Sequence, residues 1–238
     1  MRVTPTLEVE RTLFARGARV VVGLDEVGRG AWAGPVSVGA VAITASCGDA
    51  PTSVRDSKAL SAAARRRCVP LIDVWARATA VGHASHAECD ELGMRAGVAL
   101  AASRAIEGLE ILPDALIVDG PLDLLDAPNA ALHNAVAGHE WRRGPRPSVE
   151  ALVKADQHCA SVSAASVIAK VERDSILASW ADSFPAFDLS QNAGYPSPAH
   201  QRALRGYGLT SIHRRSWRFV DSIPWMAGDA TLREPGHR

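Results

Sequence analysis

The segment that most constrains this chain is residues 20–30, where a run of valines ends in two adjacent carboxylates and then a Gly-Arg-Gly turn. A short run of β-branched residues is typical of a buried strand. Asp25 and Glu26 therefore place negative charge where apolar burial stops, which is costly unless a cation lies nearby. The glycines that flank Arg29 let the backbone approach a ligand closely, and the guanidinium suits a phosphate. The pattern predicts a metal site that faces a phosphodiester.

The composition indicates a folded protein with a sizeable core. The chain has 238 residues, of which 47% are hydrophobic, and its 26 basic residues are balanced by 26 acidic ones. This balance argues against a nonspecific basic coat for nucleic acid but leaves room for a local basic groove. The sequence contains neither a signal-peptide core nor a run of ~18 apolar residues, and its four cysteines form no C-x-x-C pair. We therefore expect a cytoplasmic, monomeric protein with reduced thiols and no membrane segment.

Apolar runs predict five strands, and three of them end in acids. The strands are expected at residues 19–24, 35–44, 77–85, 115–118 and 149–153. The later strands alternate with helical segments, which favours an α/β fold built on a mixed sheet. Asp25, Asp119 and Asp156 follow the first, fourth and fifth strands. Sites in open α/β sheets lie beyond the carboxyl ends of strands, so we expect these acids to meet there with Glu26.

Helical patterns separate and follow these strands. We predict helices at residues 56–75 with Ser61 as N-cap, and at 86–109, 161–180, 199–207 and 210–220. The basic residues of the last helix would complement its dipole or contact phosphates, and they are Arg214, Arg215 and Arg218. Residues 1–18 are expected to be an N-terminal segment, 19–220 a catalytic domain, and 221–238 a tail. Residues 122–147 have the proline and glycine content of a loop or insertion.

Four carboxylates at one sheet edge suit divalent-metal chemistry. Hard cations take oxygen ligands, and two ions ~4 Å apart can hold both the attacking and the leaving oxygen of a phosphoryl displacement. Adjacent residues on a regular strand face opposite ways, so Asp25 and Glu26 share a site only if the strand bends or ends there. The alternative for any single acid is that it caps a helix or binds an arginine.

Seven motifs, taken in order, resemble those of the ribonuclease HII family. They are Asp-Glu-Val-Gly-Arg-Gly at residues 25–30, Ala-Gly-Pro-Val at 33–36, Asp-Ser-Lys-Ala-Leu-Ser at 56–61, Val-Asp-Gly at 118–120, the helical block at 163–174, and Gly-Tyr-Pro at 194–196 with His-Arg-Arg-Ser-Trp at 213–217. The resemblance covers about residues 19–220. It implies a ribonuclease H-like mixed five-stranded sheet flanked by helices, with a C-terminal helical extension.

The resemblance also implies a catalytic site. Asp25, Glu26, Asp119 and Asp156 would be catalytic and would bind two Mg²⁺ or Mn²⁺ ions. The implied activity is an endonuclease that hydrolyses the RNA strand of RNA/DNA hybrids. It would also cut 5′ to single ribonucleotides in duplex DNA, as in ribonucleotide excision repair, and leave a 3′-hydroxyl and a 5′-phosphate.

Substrate contacts follow from the same resemblance. Gly28, Arg29 and Gly30 would contact the ribonucleotide and its 2′-hydroxyl, the group that distinguishes RNA from DNA. Tyr195 would stack on the neighbouring sugar, and Lys58 would hold a backbone phosphate. The expected partners are RNA/DNA hybrid and ribonucleotide-containing duplex DNA. No sliding-clamp motif is recognisable in the tail.

The chain departs from the family pattern in three places. Ala155 replaces the usual glycine before Asp156, which is acceptable only if its φ is negative. Trp32 lies close to the glycine loop, where it either stacks on a base or packs internally. The interval between Asp119 and Asp156 is longer than usual by roughly 20 residues, which we assign to a surface excursion. If that assignment is wrong, the alternatives to Asp156 are two acids in the interval, Asp123 and Asp126.

Three other functions compete with this interpretation. Ribonuclease HIII carries an extra N-terminal domain, for which we expect no room here, and typically has Gly-Thr-Gly in the loop. A noncatalytic hybrid-binding module would keep the fold without the ions, and the intact acids argue against it. A nucleotide-cofactor cradle is excluded because residues 28–30 lack the third glycine of G-x-G-x-x-G and the Lys-Ser/Thr of a P-loop.

Overall fold

A computed structural model describes residues 4–54, 57–120 and 146–223. Within these ranges the centre is a five-stranded sheet in the order β3-β2-β1-β4-β5. The strands are β1 (Val21–Val27), β2 (Val36–Ile43), β3 (Ala78–Ala84), β4 (Ala115–Asp119) and β5 (Ser148–Leu152). The pairs β1–β2 and β2–β3 are antiparallel, whereas β1–β4 and β4–β5 are parallel. The predicted mixed five-stranded sheet is confirmed.

Helices cover both faces of this sheet. They are α1 (Glu8–Ala15), α2 (Ala62–Trp75), α3 (His86–Leu92), α4 (Met94–Gly108), α5 (Ala155–His158), α6 (Ala160–Ser179), α7 (Leu189–Asn192) and α8 (Pro198–Tyr207). Short 3₁₀ turns lie at Ala45–Cys47, Ser57–Ala59, Pro185–Phe187 and Arg218–Ser222. Ser61 caps α2 as predicted, because its side chain accepts a hydrogen bond from the backbone of Ala64. In the described part of the chain, no helix is long and apolar enough to cross a membrane.

The central helix α6 lies unusually close to β1 and β2. A Cβ added at Gly39 would lie 2.2 Å from the carbonyl oxygen of Ala165, and one at Gly23 would lie 2.4 Å from the carbonyl carbon of Ser161. Glycine on the strands and small residues on the helix therefore allow a contact that larger side chains would block. Because α6 carries Ser166 and Lys170 beside the end of β1, this close packing positions the site.

The N-terminal helix α1 docks on the junction between α5 and α6. Glu10 is fully buried, and one carboxylate oxygen accepts hydrogen bonds from the backbone nitrogen and the hydroxyl of Ser161, at 2.9 and 2.8 Å. Burial raises the pKa of Glu10. A carboxylate at the start of a 20-residue helix is favoured by the positive end of the helix dipole. The domain limits proposed from the sequence stay a prediction, although α1 packs on the same core as the sheet.

Two helix predictions are wrong. The helix expected at 86–109 is divided into α3 and α4 at Gly93, whose φ of +81° suits glycine and ends the first helix. The helix expected at 210–220 is replaced by turns up to residue 217 and a 3₁₀ turn at Arg218–Ser222. The backbone nitrogens of Arg215 and Ser216 donate to the Asp90 carboxylate, at 2.7 and 2.9 Å, and not to helical carbonyls.

Residues of the C-terminal extension pack with Ala33 and Leu177 into a hydrophobic cluster that is separate from the two clusters on the faces of the sheet. Trp32 stacks on Phe219, with ring centroids 4.4 Å apart and planes 13° from parallel. Of the two alternatives considered for Trp32, stacking on a base or packing internally, the structure shows internal packing. Most of the insertion expected at 122–147, including Asp123 and Asp126, lies outside the described residues.

Candidate active site

Asp25 on β1 and Asp119 at the end of β4 lie on neighbouring strands. β1 and β4 are parallel, and Leu24 pairs with Val118, so each acid is the next residue along its strand. One oxygen of Asp119 accepts a hydrogen bond of 2.8 Å from the backbone nitrogen of Ala155, at the start of α5. Asp156 is the next residue of that helix. Parallel pairing and this helix start therefore bring distant acids to one edge of the sheet.

Asp25 shows that the four carboxylates influence one another. Burial raises its pKa from 3.8 to about 8, and the negative charges of Glu26, Asp156 and Asp119 add to the rise. A hydrogen bond with Ser166 opposes the shift without cancelling it. The cluster therefore holds more negative charge than its buried setting favours, which a divalent cation would relieve.

Asp25 and Glu26 line one cavity near the end of β1. β1 continues through both acids to Val27, and Asp25 is hydrogen-bonded to Ser166 on α6. Both side chains line the same cavity of about 370 Å³, which extends around the end of the strand. Because β1 ends at Val27, one residue beyond Glu26, both side chains can reach the cavity at the end of the strand.

Each acid also has a partner within the protein. Asp25 accepts a hydrogen bond of 2.9 Å from the backbone nitrogen of Glu26, and a Glu26 oxygen lies 3.1 Å from an Arg29 guanidinium nitrogen. An Asp156 oxygen lies 3.5 Å from Lys58 Nζ, although the lysine side chain is 80% exposed. Among the described residues, no three acid, histidine or cysteine side chains are already arranged around a common ion position. The oxygen donors suit Mg²⁺ or Mn²⁺ in kind, and sharing an ion requires their side chains to rotate.

The alanine before Asp156 is accommodated without strain. The left-handed conformation belongs to Lys154, with φ 59° and ψ 39°, and Ala155 is absent from the described residues with positive φ. Ala155 is fully buried as the first residue of α5. Its negative φ meets the condition set from the sequence, so this departure does not disturb the position of Asp156.

The turn at Gly28 requires glycine for two reasons. Its φ is +92°, and a Cβ there would lie 2.2 Å from Nε of Arg173. Its backbone nitrogen donates a hydrogen bond of 3.1 Å to the hydroxyl of Tyr195. The half-buried tyrosine and residues 28–30 thus form adjoining walls of the cavity that holds Asp25 and Glu26.

Arg214 supports the glycine loop from inside the protein. It is fully buried, and burial lowers its pKa to about 10, which leaves it charged at neutral pH. Its guanidinium donates to four carbonyl oxygens at 2.7–3.2 Å, those of Gly28, Arg29, Ala31 and Gly34. The expectation that Arg214 serves the dipole of its own helix or a phosphate is wrong, because the residue lies outside any helix and its buried guanidinium is bound to loop carbonyls.

Arg173 on α6 joins the loop to the Tyr195 turn. It is fully buried and donates to the carbonyl oxygens of Ala33, Pro35 and Ala193, at 3.1, 2.8 and 2.9 Å. Arg173 lies four residues after Ala169 and four before Leu177, both buried apolar residues of α6, and this helical spacing is the sequence signal that could have placed it in the interior.

Lys58 and Tyr195, both predicted substrate contacts, line the cavity from other elements. Ser57, beside Lys58, shares a buried hydrogen bond of 2.8 Å with Ser166, which ties this segment to α6. Lys170 Nζ lies 5.5 Å from the centre of the Tyr195 ring. The structure thus places positive charge and an aromatic face in the same cavity as Asp25 and Glu26.

A family model described as Ribonuclease HII matches residues 22–220. This chain belongs to the ribonuclease HII family. Ribonuclease HII of Streptomyces griseus is 46% identical over 224 residues, which cover 92% of this chain and 86% of that protein.

Solved structures agree with this assignment. The ribonuclease H2 of Pyrococcus horikoshii OT3 matches with a TM-score of 0.64 and 27% identity, over 88% of this chain and 99% of that one. The RNase HII of Archaeoglobus fulgidus, solved in a complex with PCNA, matches with a TM-score of 0.61 and 26% identity, over 91% and 98%. The protein is therefore a ribonuclease H endonuclease that acts on the RNA of RNA/DNA hybrids, in a family that depends on divalent metal.

Proposed function

We propose that this endonuclease also cuts on the 5′ side of a single ribonucleotide embedded in duplex DNA, and that it uses two Mg²⁺ or Mn²⁺ ions. The observation that carries the proposal is the shared cavity: Asp25 and Glu26 line it together with residues 28–30 and Tyr195. The acids that would bind metal therefore lie next to the glycine loop that would contact the sugar.

Four carboxylates would hold the ions, namely Asp25, Glu26, Asp119 and Asp156. When bound, such ions activate water and stabilise the charge that develops on a phosphate during its displacement. The chain supplies the fixed frame: parallel strands hold the first and third acids, and the start of α5 holds the last. Lys58 and Arg29 pair with acids now and would turn to backbone phosphates in the complex.

Recognition of the ribonucleotide would rely on Gly28, Arg29 and Gly30. Side chains are absent at both glycines, so a 2′-hydroxyl can approach the backbone and exchange hydrogen bonds with it. Tyr195 would pack its ring on the adjacent sugar, where a deoxyribose leaves more room than a ribose. A substrate with a ribose followed by a deoxyribose would therefore fit best.

The deciding experiment uses a labelled DNA duplex that contains one ribonucleotide, with Mg²⁺, with Mn²⁺ or with chelator. We expect a single cut 5′ to the ribonucleotide, with a 3′-hydroxyl on one product, only when metal is present. Asp25→Asn should abolish cutting and keep the fold. The matched control is Asp114→Asn, whose carboxylate binds the backbone nitrogens of Arg19 and Val20 at the opposite end of β4.

Two outcomes would contradict the proposal. Binding of the duplex without cutting would favour the noncatalytic module. Cutting of uniform hybrid alone would contradict the proposed activity on single ribonucleotides.

We also propose that the protein is a cytoplasmic monomer, which sedimentation and cell fractionation would test. The complex of the Archaeoglobus fulgidus neighbour with PCNA makes a sliding clamp the partner class to test by co-purification. Residues 224–238, where no clamp motif is recognisable, lie outside the described part.

A further inference from the structure

Two buried histidines lie behind Tyr195 and have no role in the site as described so far. His200 on α8 and His213 are both fully buried, and their Nε2 atoms lie 2.9 Å apart. His200 Nδ1 lies 3.1 Å from the carbonyl oxygen of Tyr195, and His213 Nδ1 lies 3.1 Å from the backbone nitrogen of Thr210. The four residues form one continuous hydrogen-bonded chain that ends at the backbone of Tyr195.

The groups at the two ends of this chain fix the position of every proton. A carbonyl oxygen only accepts, so His200 Nδ1 carries a proton and donates it to Tyr195. A backbone N–H only donates, so His213 Nδ1 is unprotonated; the Thr210 hydroxyl, 2.8 Å away, donates to the same nitrogen. In neutral rings His213 Nε2 then donates and His200 Nε2 accepts. The proton positions assigned from the Tyr195 end and from the Thr210 end therefore agree at the contact between the two Nε2 atoms.

The surroundings keep both rings neutral and fixed. Burial lowers the pKa of both histidines, that of His213 to about 3. Protonation of either ring would set two N–H groups against each other. Phe187 packs against both rings, with centroids 5.6 Å from His200 and 4.8 Å from His213. Trp32 meets His200 edge-on at 5.8 Å, so ring rotation is obstructed as well.

The chain connects the two walls of the cavity. The backbone of His213 forms an antiparallel bridge with Ala33, just after the glycine loop, and the next residue's guanidinium binds the loop carbonyls. At the other end, His200 holds the carbonyl of Tyr195, whose hydroxyl meets the backbone nitrogen of Gly28. A change in either histidine would therefore alter the spacing between Tyr195 and the loop.

We propose that His200 and His213 are positioning residues that hold Tyr195 against residues 28–30 and thereby set the preference for a ribonucleotide–deoxyribonucleotide junction over uniform hybrid. This inference rests on the proposed function. Neither side chain reaches the cavity, so both act through the tyrosine. Small displacements of a substrate-orienting group are enough to change the rate strongly.

The first test measures the protons and does not depend on activity. Long-range ¹H–¹⁵N NMR of the imidazoles at neutral pH should show His200 protonated on Nδ1 and His213 protonated on Nε2. The same tautomer in both rings, or a charged ring, would overturn the proposal. Because this measurement needs no substrate, it stands even if the protein fails to cut at single ribonucleotides.

The second test compares kcat/KM on a single-ribonucleotide duplex with kcat/KM on uniform hybrid. His213→Asn loses the donor to His200 and should lower this ratio about tenfold, the value of one hydrogen bond. His213→Gln retains a donor at that position and should restore most of the ratio. In the Tyr195→Ala background, His213→Asn should lower the ratio no further, because the group it positions is gone.

A merely structural role predicts a different result. Equal losses on both substrates, or independent effects in the double variant, would show that the histidines only stabilise the fold. The matched control is Leu204→Ala, a buried change on α8 that should lower the melting temperature and leave the ratio unchanged. Should His213→Asn fail to fold, His213→Gln carries the comparison of the two substrates, and the proton positions can still overturn the proposal. If the wild type cuts only uniform hybrid, the proposed function fails and the tautomers still test this chain of hydrogen bonds.

Discussion

Replacement of Arg214 by lysine should destabilise the protein far more than replacement of its neighbour Arg215. The buried Arg214 guanidinium reaches four carbonyls of one loop, whereas Arg215 is exposed. A lysine ammonium offers three donors from a single point and cannot span the same set. Two buried carbonyls left without donors correspond to a loss of about 3 kcal/mol in the free energy of unfolding.

Thermal and denaturant unfolding of Arg214→Lys and Arg215→Lys measure this difference. For a chain of this size, about 3 kcal/mol corresponds to a fall of roughly 6–12 °C in Tm. Because the loop carries the proposed 2′-hydroxyl contacts, Arg214→Lys should also reduce cutting below its melting temperature, and Arg215→Lys should not. Equal Tm values for the two variants would refute the claim that this guanidinium supports the loop.

Three further predictions concern the loop, the acids and the pH dependence of stability. Gly28→Ala should lower Tm and cutting, because its Cβ would lie 2.2 Å from a guanidinium nitrogen; Gly48→Ala, also at positive φ but in open space, should cost only about 1 kcal/mol by denaturant titration. Arg104 lowers the pKa of Glu88 from 4.5 to about 2, so the ionised pair stabilises the fold above pH 4.5 and this contribution is lost as the pH falls toward 2. Glu88→Gln should therefore lower Tm at pH 6 and make little difference at pH 2; a gap that persists at pH 2 would contradict this. The raised pKa of Asp25 means that its ionisation destabilises the metal-free fold increasingly as the pH rises from 3.8 toward 8. In chelator at pH 8, Asp25→Asn should therefore raise Tm, while added Mg²⁺ should raise the wild-type Tm more than that of the variant; equal Mg²⁺ shifts would separate Asp25 from metal binding.

The sheet and its acidic edge were predictable because local sequence determines them. An apolar run that stops at Asp25 or Asp119 indicates a strand, and parallel pairing of β1 with β4 then brings the two acids to one edge of the sheet, although β1 itself continues to Val27. Ser61 likewise indicates the start of a helix, because its side chain is suited to the N-cap position. These features depend on a few adjacent residues, so they need no knowledge of tertiary contacts.

Features set by distant contacts were not predictable in the same way. Residues 210–217 have helical composition, but the Asp90 carboxylate takes their backbone donors. Even where helical spacing could place Arg173 in the interior, only the folded structure reveals that the partners of Arg173 and Arg214 are carbonyls from separate segments. The His200–His213 contact joins residues whose roles depend on each other's protons, which no local pattern records.

The inward carbonyls of the glycine loop have a further consequence for the surface it presents. In a trans peptide the C=O of one residue and the N–H of the next point in opposite directions. Because the carbonyls of Gly28 and Arg29 point inward to Arg214, the amide hydrogens of Arg29 and Gly30 are directed away from it. The buried cation thus orients two peptide dipoles with their positive ends outward, an arrangement suited to an anion. A fully buried residue can in this way determine the polarity of the surface proposed to contact the substrate.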